Sequence, residues 1–122
     1  MTPKSKSKSK SRDLFPGALE MMILQTIYEE PMHGYALVQY IQQRSKNLLQ
    51  VEEGSLYPAL QRLLKEGLVV AQWKISPNKR RVRTYFITLR GAKRLEVELS
   101  RFDRMVKGMS LVLTPTLSPA KS

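Results

Sequence analysis

Ser55-Leu56-Tyr57-Pro58-Ala59-Leu60-Gln61-Arg62-Leu63-Leu64-Lys65-Glu66-Gly67 runs straight into Leu68-Val69-Val70-Ala71-Gln72-Trp73-Lys74-Ile75, and the change of period between the two stretches decides the fold. In the first stretch Leu56, Leu60, Leu63 and Leu64 recur at helical spacing and form one apolar stripe. Tyr57, Gln61 and Lys65, four residues apart, lie on the opposite side with Arg62 beside them. Ser55 is a candidate N-cap, and Pro58 is expected in the first turn, where its missing N–H costs nothing. Gly67 suits the C-terminal cap, having no Cβ to oppose a left-handed conformation. The expected helix spans about 55–66. Beyond it, 68–75 is rich in β-formers, Ser76-Pro77-Asn78-Lys79 reads as a turn, and 82–88 is β-rich again. The result is a hairpin whose tip carries Lys79, Arg80 and Arg81.

Upstream, Pro16 suits the first turn of a helix over about 16–29, with Leu19, Met22, Ile23 and Ile27 at helical spacing. Glu30-Pro31 ends it, because a helix seldom runs past the residue before a proline. A second helix starts near His33-Gly34, carries Leu37, Tyr40 and Ile41 on one face and ends near Ser45. Residues 46–54 are expected as a connector closing at Gly54. Met21 and Met22 read first as packing rather than as the lining of an effector pocket, since thioethers are adaptable gap-fillers. His33 reads as a helix-start cap or turn residue, and Trp73 as packing inside the hairpin.

Downstream, a last helix is expected from about 90 to 110, where Ala92, Leu95, Leu99, Phe102, Val106 and Met109 alternate by three and four. Leu95, Leu99, Phe102, Val106 and Met109 are therefore expected in a dimer interface, with Phe102 and Met105 read first as packing and second as the lining of an effector pocket. The expected organisation is a disordered basic arm (1–13), a three-helix and hairpin unit (14–89), a dimerisation helix (90–113) and a flexible tail (114–122).

The charge is strongly biased. The 122 residues carry 21 Lys and Arg against 10 Asp and Glu, a formal net charge of +11, so an anionic partner is the default inference. Lys4, Lys6, Lys8, Lys10 and Arg12 alternate with serines in the arm. Lys74, Lys79, Arg80, Arg81, Arg83, Arg90, Lys93 and Arg94 follow one another with no acidic residue between Glu66 and Glu96. An arm of the first kind adds phosphate contacts without sequence information.

Several classes recede on composition. With no cysteine and a single histidine, neither a thiolate nor a His-rich metal site can be built, and no cofactor is expected. Glu29-Glu30 and Glu52-Glu53 sit at element ends, where a solvated surface explains them better than catalysis. There is no apolar run of the ~18–20 residues that a membrane span needs, and the N-terminal lysines lead into Leu14-Phe15-Pro16-Gly17 rather than the core of a signal peptide. The expectation is a cytoplasmic protein that is not an enzyme.

Three helices followed by a basic-tipped hairpin is the order of a winged helix-turn-helix, a mainly α (α+β) fold. In that arrangement the third helix enters the DNA major groove and the hairpin, or wing, meets the adjacent backbone. The residues go further. His33-Gly34-Tyr35-Ala36-Leu37, Gly54-Ser55-Leu56-Tyr57-Pro58-Ala59-Leu60, Arg62-Leu63 and Gly67-Leu68 closely resemble the PadR family of bacterial transcriptional regulators. Trp73, Arg83-x-Tyr85 and Thr88-x-x-Gly91 extend the resemblance over about 14–109. It implies a homodimeric repressor on an inverted-repeat operator in double-stranded DNA, with many such proteins answering to small aromatic or cationic compounds. The short C-terminus resembles the small branch of the family, whose dimers pack the last helix against the partner's N-terminal region. The Lys-Ser arm departs from the common pattern.

The expected DNA-binding residues are Tyr35, Ser55, Tyr57, Pro58, Gln61, Arg62, Lys65, Lys79, Arg80, Arg81 and Arg83. Gln61 and Arg62 have the side chains for bidentate contacts to adenine and guanine. Lys79, Arg80, Arg81 and Arg83 suit phosphates, the alternative for Arg83 being support of the hairpin by lying along Tyr85. Tyr35 combines an apolar body with a polar tip. Two rival readings are a sequence-nonspecific architectural or RNA-associated protein and a peripheral membrane protein. The first needs no displayed reader helix, and the second needs aromatic residues beside the basic face, which the arm lacks before Phe15.

Overall fold

The computed structural model describes residues 14–113. The expectations for the arm and for the tail beyond 113 lie outside the described residues. Seven elements follow one another: α1 (Ala18–Glu29), β1 (Met32–His33), α2 (Gly34–Arg44), α3 (Glu53–Lys65), β2 (Val69–Ile75), β3 (Arg81–Ile87) and α4 (Leu89–Val112). This is a winged helix with a three-stranded antiparallel sheet ordered β1-β3-β2.

Apolar stripes on three helices meet in one core: Ile23, Leu24 and Ile27 of α1, Leu37 and Ile41 of α2, and Leu56, Leu60 and Leu63 of α3. Leu68, Val69 and Tyr85 close it from the sheet, and Leu95 from α4. Met21 is buried in this core and Met22 packs against it.

Four element boundaries depart from the sequence expectation, each for a local reason. Gly17 has φ 85°, a left-handed value that a helix cannot include, so α1 starts at Ala18 and not at Pro16. α3 starts at Glu53, so Ser55 is not its N-cap: Glu52 holds that place, and the Ser55 N–H donates to the Glu52 carbonyl at 2.9 Å. Burial of Val51 fixes the chain just before this point. Gly54 thus belongs to α3, and Pro58 sits inside the helix rather than in its first turn. The carbonyl that Pro58 cannot engage is that of Gly54, four residues back. The connector shortens accordingly to 45–52, turned by Lys46 and Asn47, both left-handed. The fourth departure is β1, which the sequence reading missed. It pairs Met32 with Tyr85 and His33 with Thr84.

The joints at His33 and Gly67 behave as read, and Thr88 adds a third. His33 caps α2, its Nδ1 accepting from the Ala36 N–H at 3.4 Å. Gly67 (φ 74°) follows α3, and Leu68 N–H donates to the Leu63 carbonyl at 2.9 Å, which closes the helix end. Thr88 caps α4, its Oγ1 accepting from Gly91 N–H at 3.0 Å while donating to the Gly67 carbonyl at 2.8 Å. Gly91 passes so close to β2 that an added Cβ would stand 2.1 Å from the Leu68 carbonyl oxygen. The end of α3 and the start of α4 are therefore clamped to the same point of the chain.

Candidate nucleic-acid interface

β2 and β3 pair from Val69↔Ile87 to Ile75↔Arg81. Directly opposed residues of an antiparallel pair share a face, so Val69, Ala71, Trp73 and Ile75 stand with Ile87, Tyr85, Arg83 and Arg81. Near its base this face is core: Val69 and Tyr85 are buried. Towards the tip it outruns the helices, and the same face then overhangs a groove of about 670 Å³. The turn beyond is locked by hydrogen bonds from Lys79 N–H to the Ser76 carbonyl (2.8 Å) and from Ser76 N–H to the Arg80 carbonyl (2.8 Å). Ser76 Oγ and Asn78 Oδ1 close it further. Lys79 occupies the left-handed position (φ 62°) with its side chain exposed at the tip.

The groove has two walls. One is the wing: Trp73, Arg80, Arg81 and Arg83. The other is the start of α2 and the exposed flank of α3: Tyr35, Tyr57 and Gln61. Tyr57 lies across Gly34, where a Cβ would come within 2.9 Å of its hydroxyl. It thus packs and is presented at once. Tyr35 is exposed and its hydroxyl accepts from Gln39 at 3.2 Å. Arg83 stacks over the Tyr85 ring at 5.9 Å, the supporting role read for it from sequence. Burial pushes the Tyr85 phenol above its usual pKa; the Arg83 guanidinium pulls it back and Tyr57 adds to the rise.

The structure therefore brings Tyr35, Tyr57, Gln61, Arg80, Arg81 and Arg83 to one groove. It does not bring Ser55, Pro58 and Arg62 there. These line a hollow on the other flank of α3, facing Phe15–Glu20. Arg62 is engaged by α1: its Nε donates to Glu20 Oε2 at 2.6 Å. Lys65 is exposed near the end of α3. Trp73 does not pack inside the hairpin as expected: it is 59% exposed and the Arg81 guanidinium lies 4.6 Å from its ring centroid. Its place past the edge of the helices leaves nothing for it to pack into. The signal was available, since alternation from buried Val69 puts Trp73 on the inner face; how far the helices reach beneath that face was not.

Along α4, Leu95 is 4% exposed and belongs to the chain's own core, which corrects its expected place in a dimer interface. The helix's first turn is pinned to the body by the Thr88 clamp, which sets Leu95 inward while Leu89 stays exposed. Leu99, Phe102, Met105, Val106 and Met109 remain exposed to varying degrees along the outer part. Phe102 stacks on Phe15 of the same chain with centroids 5.8 Å apart. No helix among the described residues is long and apolar enough to cross a membrane.

The model of the transcriptional regulator PadR-like family matches residues 23–97. This chain belongs to that family. Among solved structures, a PadR-like transcriptional regulator from Bacillus cereus is 31% identical and superposes with a TM-score of 0.71, covering 80% of this chain and 93% of that one. Bacillus subtilis PadR in complex with operator DNA shares the fold at 23% identity and a TM-score of 0.60, covering 66% of this chain and 46% of that one. An uncharacterised protein of Lysinibacillus sphaericus is 36% identical over 61 residues, which are 50% of this chain and 56% of that protein. The chain thus matches little more than half the length of that curated relative.

Proposed function

We propose that this PadR-like chain is a sequence-specific DNA-binding regulator, a homodimeric repressor that occupies an inverted-repeat operator. One observation carries the reading: the reader-capable Tyr57 and Gln61 of α3 and the basic Arg80, Arg81 and Arg83 of the wing line the same groove. A duplex seated there receives α3 in its major groove, with Gln61 able to make a bidentate contact to adenine. The wing's Lys79, Arg80, Arg81 and Arg83 meet phosphates, and Tyr35 meets the backbone from the start of α2. Lys65 extends the contact along α3, whereas Ser55 and Pro58 face the hollow beside α1 and take no part in it. Arg62 is reserved for Glu20 and steadies the helix. That B. subtilis PadR was solved on operator DNA supports the same use of a shared fold.

Dimerisation through α4 is supported by its exposed apolar row, because a contiguous apolar surface of this kind marks an interaction site. In this reading 14–89 binds DNA and 90–113 pairs the protomers. Repression follows as the outcome that requires least machinery: a dimer on a promoter occludes it. Release by a small aromatic or cationic effector, which the family resemblance implies, completes the proposed cycle in a cytoplasmic setting without catalysis.

The competing reading is a sequence-nonspecific binder, and affinity separates the two. At physiological salt, a duplex selected for binding should be held at least ~10³-fold more tightly than a shuffled duplex of the same composition. A ratio near one would leave a charge-driven binder with no sequence preference.

A further inference from the structure

Trp73 is the chain's only tryptophan, and it stands exposed where the wing's inner face has outrun the core. Its register partner is Arg83, and its diagonal neighbour across the hairpin is Arg81. Diagonal pairs are within reach of long side chains, and here Arg81 lies 4.6 Å from the indole centroid, closer than the 5.9 Å separating Arg83 from Tyr85. Both members of the Trp73–Arg81 pair line the groove opposite Tyr57 and Gln61. An arginine free in solution must lose much of its rotamer freedom to make a fixed contact. A guanidinium already lying on an aromatic face has lost part of it beforehand, while its N–H edge stays available to an anion. The attraction also strengthens as water is excluded.

We propose that Trp73 is a DNA-positioning residue: its indole carries the Arg81 guanidinium over the groove, and the sugar–phosphate backbone covers both when a duplex enters. The assignment rests on the DNA-binding reading above. It gives the wing two kinds of cation. Arg81 is pre-oriented by Trp73 and Arg83 by Tyr85, whereas Lys79 at the turn has no aromatic partner among the described contacts.

The full chain, titrated with a pool-selected operator duplex, tests this directly because its intrinsic tryptophan fluorescence comes from Trp73 alone. The fluorescence should change saturably with the same midpoint as binding measured by anisotropy, and iodide should quench it less in the complex. Trp73→Ala should weaken binding about 3- to 10-fold, and should add nothing further once Arg81→Ala is present. Trp73→Phe keeps a stacking face and should recover most of the affinity. Thermal melts of each variant check that the exposed site leaves folding intact. Unchanged fluorescence on saturation, or additive losses for Trp73→Ala and Arg81→Ala, would overturn the assignment. Wild-type binding matched by Trp73→Ala would also overturn it while leaving the DNA reading standing. A wild-type chain that binds no duplex would remove both.

Discussion

Gln61 and Arg62 are neighbours in sequence with opposite fates in the fold. Successive helical residues point 100° apart, so one looks into the groove beside the wing and the other reaches Glu20 on α1. Their substitutions should therefore separate. Gln61→Ala should weaken the selected operator by ~1–3 kcal/mol and leave random duplex unaffected. Arg62→Ala should reduce stability by no more than ~1 kcal/mol, as expected for a pair with an exposed partner, and change both affinities by the same factor. Parallel titrations with the two duplexes check both. Tyr85 supplies a pH signature. Burial raises its phenol pKa above the ordinary 10.0, so the unfolded chain loses this proton at lower pH than the folded one. The stabilisation is fully present below pH 10 and is lost as pH rises through the folded value. Melts from pH 9 to 11 should show a fall in stability that is smaller in Tyr85→Phe. At this scale the sequence told which side chains suit DNA, but not which flank of α3 each would occupy, because that depends on where α1 docks.

Between elements, the joints explain the motifs that carry the family resemblance. Thr88-x-x-Gly91 is a cap and a close approach: Thr88 Oγ1 holds Gly91 N–H and the Gly67 carbonyl, and Gly91 has no room for a Cβ against Leu68. His33-Gly34 is a cap followed by the surface on which Tyr57 lies. Gly91→Ala should thus destabilise by about 1–3 kcal/mol, since the backbone must shift. Gly108→Ala, in the same helix with nothing within 4 Å of its Cβ position, should stabilise by roughly 0.5–1 kcal/mol. Thermal or urea unfolding of the pair checks the opposite signs. The helices and the hairpin were legible in their periods of 3.6 and 2. The start of α3 was not, because Ser55 offered a better cap by type than Glu52, and the burial of Val51 outweighed that preference. β1 was too short to show any alternation; its pairing comes from β3, about fifty residues away.

At the scale of the molecule, charge and apolar surface are sorted onto different parts. Arg80, Arg81 and Arg83 of the wing face the groove, while the outer half of α4 exposes Leu99, Phe102, Met105, Val106 and Met109. The heptad-like spacing announced that row, but it also included Leu95, which the Thr88 clamp turns into the protomer's own core. Leu99→Asp combined with Phe102→Asp should accordingly give a monomer by sedimentation, with the core and the helical signal preserved. A dimer persisting at micromolar concentration would refute the α4 interface. In the proposed dimer, two wings and two α3 helices related by a two-fold axis favour a site with the same symmetry. Selection from a random duplex pool measures this most directly. The account predicts an enriched inverted repeat whose half-sites lie about one helical turn apart, ~34–36 Å. A pool that stays random, or converges on a single asymmetric half-site, would contradict it.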